Sequence, residues 1–214
     1  MRKWIPVVIV LVAVAASALM YPQLPERIPT HWDISGHVNG YSSRFWGAWM
    51  MPLMLAGTWL VMRAVPHIDP RRENYAKFMG AYETIIIAVM ILLLAIHILV
   101  LESAVGRTVS LERVLPAGLG LLFIVVGAVL PKVHPNWFFG IRTPWTLSSD
   151  LSWERTHHVG GYLFMGVGAI TVLTALVAPT LTFKVLLGAA LLTVIFVFAY
   201  SYNVWKNDPA RSAT

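Results

Sequence analysis

Six long apolar stretches separated by polar segments set the pattern of this chain of 214 residues. They run over Trp4–Tyr21, Trp46–Val65, Gly80–Leu101, Val114–Leu130, Val159–Ala178 and Leu181–Tyr202. Each has the roughly 17–25 mostly apolar residues that a helix needs to cross the hydrocarbon core of a bilayer. Trp4, Tyr21, Trp46, Tyr162, Tyr200 and Tyr202 fall near the predicted ends, where amphipathic rings favour the headgroup region. The pattern predicts an all-α polytopic membrane protein of about six transmembrane helices. Residues 1–65 form a first helical hairpin with an ordered outer loop over 22–45, and residues 66–113 a central helix with its connections. Residues 114–204 carry the last three helices and a long inner loop over 132–158, and residues 205–214 are a cytoplasmic tail.

Composition strengthens that picture. Apolar residues make up 57% of the chain and charged residues 12%, against about a quarter charged in an ordinary soluble domain. A surface so poor in charge cannot face water all round, so lipid must cover much of it. The net charge of +6 comes from Lys and Arg flanking the apolar stretches, with no basic run, which argues for membrane topology and against direct nucleic-acid binding. With the N-terminus inside, the inner segments hold Arg2, Lys3, Arg63, Arg71, Arg72, Lys77, Lys132, Arg142, Arg155, Lys206 and Arg211. The outer segments hold Arg27, Arg44, Arg107, Arg113 and Lys184. This bias predicts that both termini are cytoplasmic. The absence of cysteine removes any disulfide framework, thiol nucleophile or Cys-based zinc site. Arg2-Lys3, an apolar stretch and Ala16-Ser17-Ala18 imitate a secretory signal peptide, but Tyr21-Pro22 follows at once, and the reading adopted is a retained helix.

The spans carry few ionisable groups. His97 lies deep in the third, where one interhelical hydrogen bond would satisfy a neutral imidazole, and Glu83 lies one turn inside, within reach of Lys77 or Arg72. No file of acidic residues crosses the bilayer, which weakens a pump or channel reading. Gly118, Gly120 and Gly127 in the fourth span, with Gly160, Gly161, Gly166 and Gly168 in the fifth, predict close helix approach.

Chemistry-bearing residues gather in the two loops. In the outer one, Pro22, Pro25 and Pro29 enforce extended backbone. Asp33 and Gly36 suit the first and fourth positions of a type I turn, and Asn39-Gly40 is a hairpin-turn signal. Trp32, Tyr41, Phe45 and Trp46 could rest this cap on the membrane surface. His31, Asp33 and His37 match no closed zinc pattern, and no metal is expected there.

In the inner loop, Pro135 and Pro144 stop helix, Gly140 permits an unusual backbone angle, and Arg142 is isolated among apolar residues. Its expected partners are a carboxylate, a lipid phosphate or helix C-terminal carbonyls. Ser148, Ser149 or Asp150 can cap a helix running through Trp153 and His157 into the fifth span. On it Asp150, Glu154 and His157 or His158 share a face, and Glu154-x-x-His157 resembles half of a di-metal carboxylate pair. Its missing second half favours a simple complement to the helix dipole. Hydrolysis by Ser148 or Ser149 with His157 lacks an elbow motif around the serine.

The run Pro135-Asn136, Phe139-Gly140-Ile141-Arg142-Thr143-Pro144-Trp145-Thr146-Leu147, then Trp153 and Thr156-His157, closely resembles the signature of the bacterial SdpI/YfhL family. Leu24-Pro25, Ile28-Pro29-Thr30-His31-Trp32 and Gly36 resemble the short domain of unknown function that precedes it in many members. The resemblance implies a multi-pass immunity protein of the bacterial cytoplasmic membrane, without catalytic residue, metal or cofactor. Such a protein shields a toxin-producing cell from its own secreted peptide and holds a transcriptional repressor at the membrane when toxin is present. By carry-over, the outer loop with Pro29, His31, Trp32, Asp33 and Gly36 would meet the peptide. The inner motif, with Asn136, Phe139, Gly140, Arg142, Thr143, Pro144, Trp145, Asp150, Trp153, Glu154 and His157, would serve binding or signalling. His158 stands where an Arg is usual, and Asp33 where a neutral amide is expected. The competing readings are a metal-dependent hydrolase at the inner interface and a small transporter using His97.

Overall fold

The computed structural model describes residues 4–33, 37–108 and 110–210, with backbone alone at residues 111 and 112. Of the positions named above, Arg2, Lys3, Gly36 and Arg211 lie outside the described residues. The chain runs through α1 (Ile5–Met20), a hairpin of β1 (Arg27–Trp32) and β2 (Val38–Ser43), α2 (Arg44–Ile68) and α3 (Tyr75–Ala104). It continues with α4 (Leu111–Val129), a short α5 (Pro144–Ser148), α6 (Asp150–Val177) and α7 (Pro179–Lys206). Among the described residues six helical segments are long and apolar enough to cross a membrane, and only 22–33% of the most apolar window of each is buried within the protein. Leu187, Leu191, Leu192, Ile195 and Phe196 of α7 stand exposed, as side chains that face lipid do. The chain is thus a mostly helical, multi-pass membrane protein, and the two-stranded sheet corrects the all-α expectation.

Successive long helices alternate in direction, so the connections fall at two ends. The hairpin, the α3–α4 connection and the α6–α7 junction lie at one, called here the hairpin end. The α2–α3 connection, residues 130–149 and the C-terminal residues lie at the other, the motif end.

Helix starts follow local chemistry. The Ser43 side chain accepts the Trp46 N–H to open α2, and Ser149 accepts the Ser152 N–H at 3.0 Å to open α6. Thus α6 does begin before the fifth apolar stretch and runs unbroken into it. α3 also starts earlier than its apolar stretch, at Tyr75, and kinks at Phe78, where φ is −130°. That first turn is kept helical by tertiary packing: Tyr75, Phe78, Ala81 and Tyr82 form a core with Val65, Val133 and Trp153.

The most extensively packed helix pair among the described residues is α4 and α6. A Cβ on Gly127 would fall 2.5 Å from the Gly161 carbonyl oxygen, and one on Gly161 would fall 2.7 Å from that of Gly127. Two turns away Gly120 and Gly168 repeat the arrangement. Glycines spaced seven apart on both antiparallel helices thus bring backbones into direct contact, the packing that replaces hydrophobic collapse inside lipid. On the other side Ile9 and Ala13 of α1 meet Leu55 of α2 and Met90 of α3 in a separate core.

Candidate functional site

At the hairpin end, β1 and β2 pair antiparallel with Ile28 opposite Ser42, Pro29 opposite Tyr41 and His31 opposite Gly40. The register shifts on both sides of His31, so a bulge admits Pro29, which has no N–H to donate. Asn39-Gly40 lies inside β2 and is not the turn; Gly40 instead lets β2 pass against His31, whose Cβ a glycine Cβ would approach to 2.8 Å. Chain reversal is closed by the Asp33 N–H to the His37 carbonyl at 2.9 Å and by the His37 N–H to the Asp33 carboxylate at 3.0 Å. His31 hydrogen-bonds Asn39, and His37 is exposed, 3.8 Å from the Asp33 carboxylate. Among the described residues no three His, Asp or Glu side chains come together to hold a metal ion.

The hairpin is seated firmly. Leu24 and Ile28 are buried against Ala48, Val100 and Leu101, joining β1 to α2 and α3. Gly47 makes room for Ile28, whose Cβ would lie 2.8 Å from an added Cβ. Tyr41, Phe45 and Trp46 are about half exposed, suited to an interfacial aromatic belt.

Beneath the hairpin lies a cavity of about 620 Å³. Thr30, His31, Trp32, Asp33 and Ser42 form its mouth, while Trp46, Met50 and Met51 of α2 and Ile96 and Val100 of α3 form its walls. Leu115 of α4 and Phe183 of α7 close it, and His97 lies on its lining, 1% exposed. Ser17 donates its hydroxyl to the Ala48 carbonyl at 2.6 Å, and His97 Nε2 lies 2.9 Å from the serine oxygen. With the serine proton committed, the imidazole is the donor to Ser17. The expected interhelical bond of His97 is therefore present and joins three helices. It also explains Ala13 and Ser17: both are fully buried, so small residues here serve helix packing.

The motif end is a knot of buried hydrogen bonds. Asn136, 0% exposed, accepts the N–H groups of Phe138 at 2.9 Å and Phe139 at 2.6 Å. Its amide donates to the carbonyls of His134 and Phe139, both at 2.9 Å. Asp69, in the α2–α3 connection and 2% exposed, accepts the Arg71 N–H at 2.7 Å, the Tyr75 hydroxyl at 2.9 Å and the Trp137 N–H at 3.0 Å. Asn74 donates to the Pro135 carbonyl at 2.8 Å, and Arg71 to that of Leu147 at 3.3 Å. Two connections far apart in sequence are thereby sewn together.

The rest of the motif docks on α6 and α7. Trp153 donates its indole N–H to the Val133 carbonyl at 2.7 Å and stacks on His157, ring centroids 4.2 Å apart. Gly140, at φ +106°, passes so close to His157 that a Cβ would collide with the ring. Thr143 caps α5 in a reciprocal box with Thr146, Pro144 takes the first helical position, and the Thr143 hydroxyl meets Ser201 of α7 at 3.0 Å. Trp145 packs edge-on against Phe198 and Tyr202, and Phe139 edge-on against Tyr82. Ser149 bonds the Asp208 carboxylate, holding it below its ordinary pKa, with the Ala210 N–H assisting.

Three expectations change. His157 points into the core, 1% exposed, while Asp150 and Glu154 are exposed, so of the two histidines it is the exposed His158 that shares their face and not His157. Both imidazole nitrogens of His157 face backbone: Nδ1 lies 2.8 Å from the Trp153 carbonyl, and Nε2 accepts the Ile141 N–H at 3.0 Å. That leaves neither a general base nor a free metal ligand, and the hydrolase reading loses its central residue. Arg142 is exposed and donates to the Trp137 carbonyl, a loop carbonyl and not one at a helix C-terminus. Glu83 lines a cleft of about 240 Å³ with Arg63 and His67 of α2, facing neither Lys77 nor Arg72 there.

Asp69, Tyr75 and Ser201 escaped the sequence reading. Asp69-Pro70 is a turn signal, but nothing local announces a buried carboxylate that, among the described residues, has no ion-pair partner. A polar hollow of about 590 Å³ opens beside the knot, lined by Arg71, Ser148, Asp150, Trp205 and Asp208 among others.

With the geometry in hand, comparison with known proteins finds matches at both ends. Residues 132–201 match the SdpI/YfhL protein family, and residues 8–56 match a domain of unknown function, DUF1648. The first match takes in most of the knot with α5, α6 and most of α7; the second takes in most of α1, the hairpin and about the first half of α2. Immunity protein SdpI of Bacillus subtilis (strain 168) is 22% identical over 205 residues, covering 96% of each chain. No solved structure matches.

Proposed function

Because the chain belongs to the SdpI/YfhL family, with a DUF1648 domain in front and a distant homologue in an immunity protein, we propose that it is an immunity protein of a bacterial cytoplasmic membrane. In this reading the hairpin end faces outward and binds a secreted antimicrobial peptide. The charge bias of the connecting segments supports that orientation, with both termini inside.

The observation that carries the reading is the cavity of about 620 Å³ under the hairpin. It is within the size range of specific ligand sites, mostly apolar, and supplied with a few convergent polar groups at its mouth. No catalytic step belongs to this function, since the one buried histidine of the motif is committed to backbone partners. The knot acts as a rigid clamp through which a shift at the hairpin end reaches the inner surface. There the polar hollow beside Asp150 and Asp208 would receive a transcriptional repressor.

The test is tolerance. Expression of the chain in a bacterium sensitive to secreted membrane-active peptides is expected to raise survival against at least one of a panel of such peptides. Unchanged sensitivity across the panel overturns the reading.

A further inference from the structure

We propose that the cavity under the hairpin takes a cationic apolar segment, its apolar side chains seated between α2, α3 and α7 and its basic group at Asp33. The inference rests on the peptide-binding reading above and adds the chemistry of the ligand.

The walls are apolar and adaptable: Trp46, Met50, Met51, Ile96 and Phe183 offer two aromatic rings and two flexible thioethers. Methionine in such a position fills irregular contacts and tolerates varied partners. The mouth is different. Among the described residues Asp33 is the one charged side chain of the lining, beside Thr30, His31 and Ser42. The chain holds 16 Lys and Arg against 10 Asp and Glu, yet none of those cations lines this cavity among the described residues.

That sign selects between occupants. A phospholipid could offer acyl chains to the walls, but its phosphate would meet the Asp33 carboxylate at the mouth and, among the described residues, no Lys or Arg; the basic group nearby is the exposed His37 imidazole, 3.8 Å from that carboxylate. A lysine, an arginine or an amino terminus would gain a charge-assisted bond to Asp33 and the faces of Trp32 and Trp46. The carboxylate is held in place by the hairpin itself, through the His37 N–H at 3.0 Å, so little ordering remains to be done on binding.

The experiment uses the full chain in phosphatidylcholine nanodiscs and fluorescently labelled apolar peptides of equal length bearing either lysines or glutamates. The lysine peptides are expected to bind at least about tenfold more tightly, as a charge-assisted bond would give. Asp33→Asn retains the oxygen that accepts from His37 and should abolish that preference. Leu115→Trp fills the cavity and should weaken the lysine peptides by about tenfold or more. Equal binding of both kinds, a preference that survives Asp33→Asn, or indifference to Leu115→Trp each overturns the proposal. Displacement of the lysine peptides by added phosphatidylglycerol acyl chains would make the cavity a lipid site and overturns it as well. If expressing cells still gain peptide tolerance when the lysine preference is absent, only this inference falls. If neither binding nor tolerance is found, the receptor reading falls with it.

Discussion

The Nε2 atom of His157 accepts the backbone N–H of Ile141 at 3.0 Å, a bond that ties the long loop to α6 sixteen residues further on. The ring is simultaneously stacked on Trp153 and bonded to its carbonyl. Only the neutral Nδ1–H form satisfies both partners, so this histidine works as a fixed peg. His157→Ala should destabilise the protein by about 3 kcal/mol, combining a cavity with an orphaned buried N–H. Thermal unfolding in detergent, followed by helical circular dichroism, measures the loss. Treatment with a chelator should leave the wild-type transition where it was, as expected of a histidine that holds backbone instead of metal.

The α4–α6 seam makes a sharper demand on side-chain size. Gly161→Leu would drive a branched side chain into the backbone of Gly127, whose oxygen already lies 2.7 Å from where a Cβ would start. A cost of about 3 kcal/mol or more is expected, at or beyond the upper range for overpacking because backbone cannot yield as a rotamer can. Gly166 on the same helix has nothing within 4 Å of where an added methyl would sit. Gly166→Ala should therefore stay within about 0.5 kcal/mol of wild type. Steric trapping or thermal melting of the two variants side by side separates a packing role from simple helix propensity.

The contrast between these glycines shows what was legible beforehand. Composition and periodicity located all six long helices, because bilayer thickness sets their length and every residue reports on it. They located Gly161 and Gly166 alike but could not rank them, since only the facing helix decides which one touches. The same limit hid the direction of His157. Helical spacing put it with Asp150 and Glu154, yet α6 is covered there by the loop and α7, so the buried arc is wider than spacing suggests. Asn39-Gly40 misled for a related reason: the dipeptide tolerates positive φ, but here the bulge opposite His31 needed its small size. Asp69 was invisible because its partners, Tyr75 and Trp137, come from different segments.

Asp69 and Asn136 share one network through the Tyr75 hydroxyl, 2.9 Å from the first and 3.5 Å from the second. Each also fixes an amide of residues 137–139. Asp69→Ala or Asn136→Ala alone should cost about 2–4 kcal/mol, since either leaves buried N–H groups unpaired. The double variant should cost less than the sum by about 1 kcal/mol or more, because the loop released by the first change has less to lose in the second. A double-mutant cycle by chemical denaturation reads the coupling, and strict additivity would mean that the two connections are not held as one unit.

Asp208 supplies a pH-dependent latch on the C-terminal residues. The Ser149 hydroxyl holds its carboxyl below the ordinary carboxylate value, so the folded state favours the charged form. A depressed pKa stabilises the docked tail at pH values above the unfolded pKa and loses that contribution as pH falls through the folded one. Neutral pH should therefore keep residues 207–210 against the start of α6, and acidification through the folded pKa of Asp208 should release them. Ser149→Ala should move the Asp208 titration back up toward the usual range and also cost α6 its cap. A side-chain carboxyl titration by NMR checks the first effect. Ser149→Thr separates the two, because it keeps a hydroxyl for both the cap and the carboxylate and should leave the Asp208 pKa depressed.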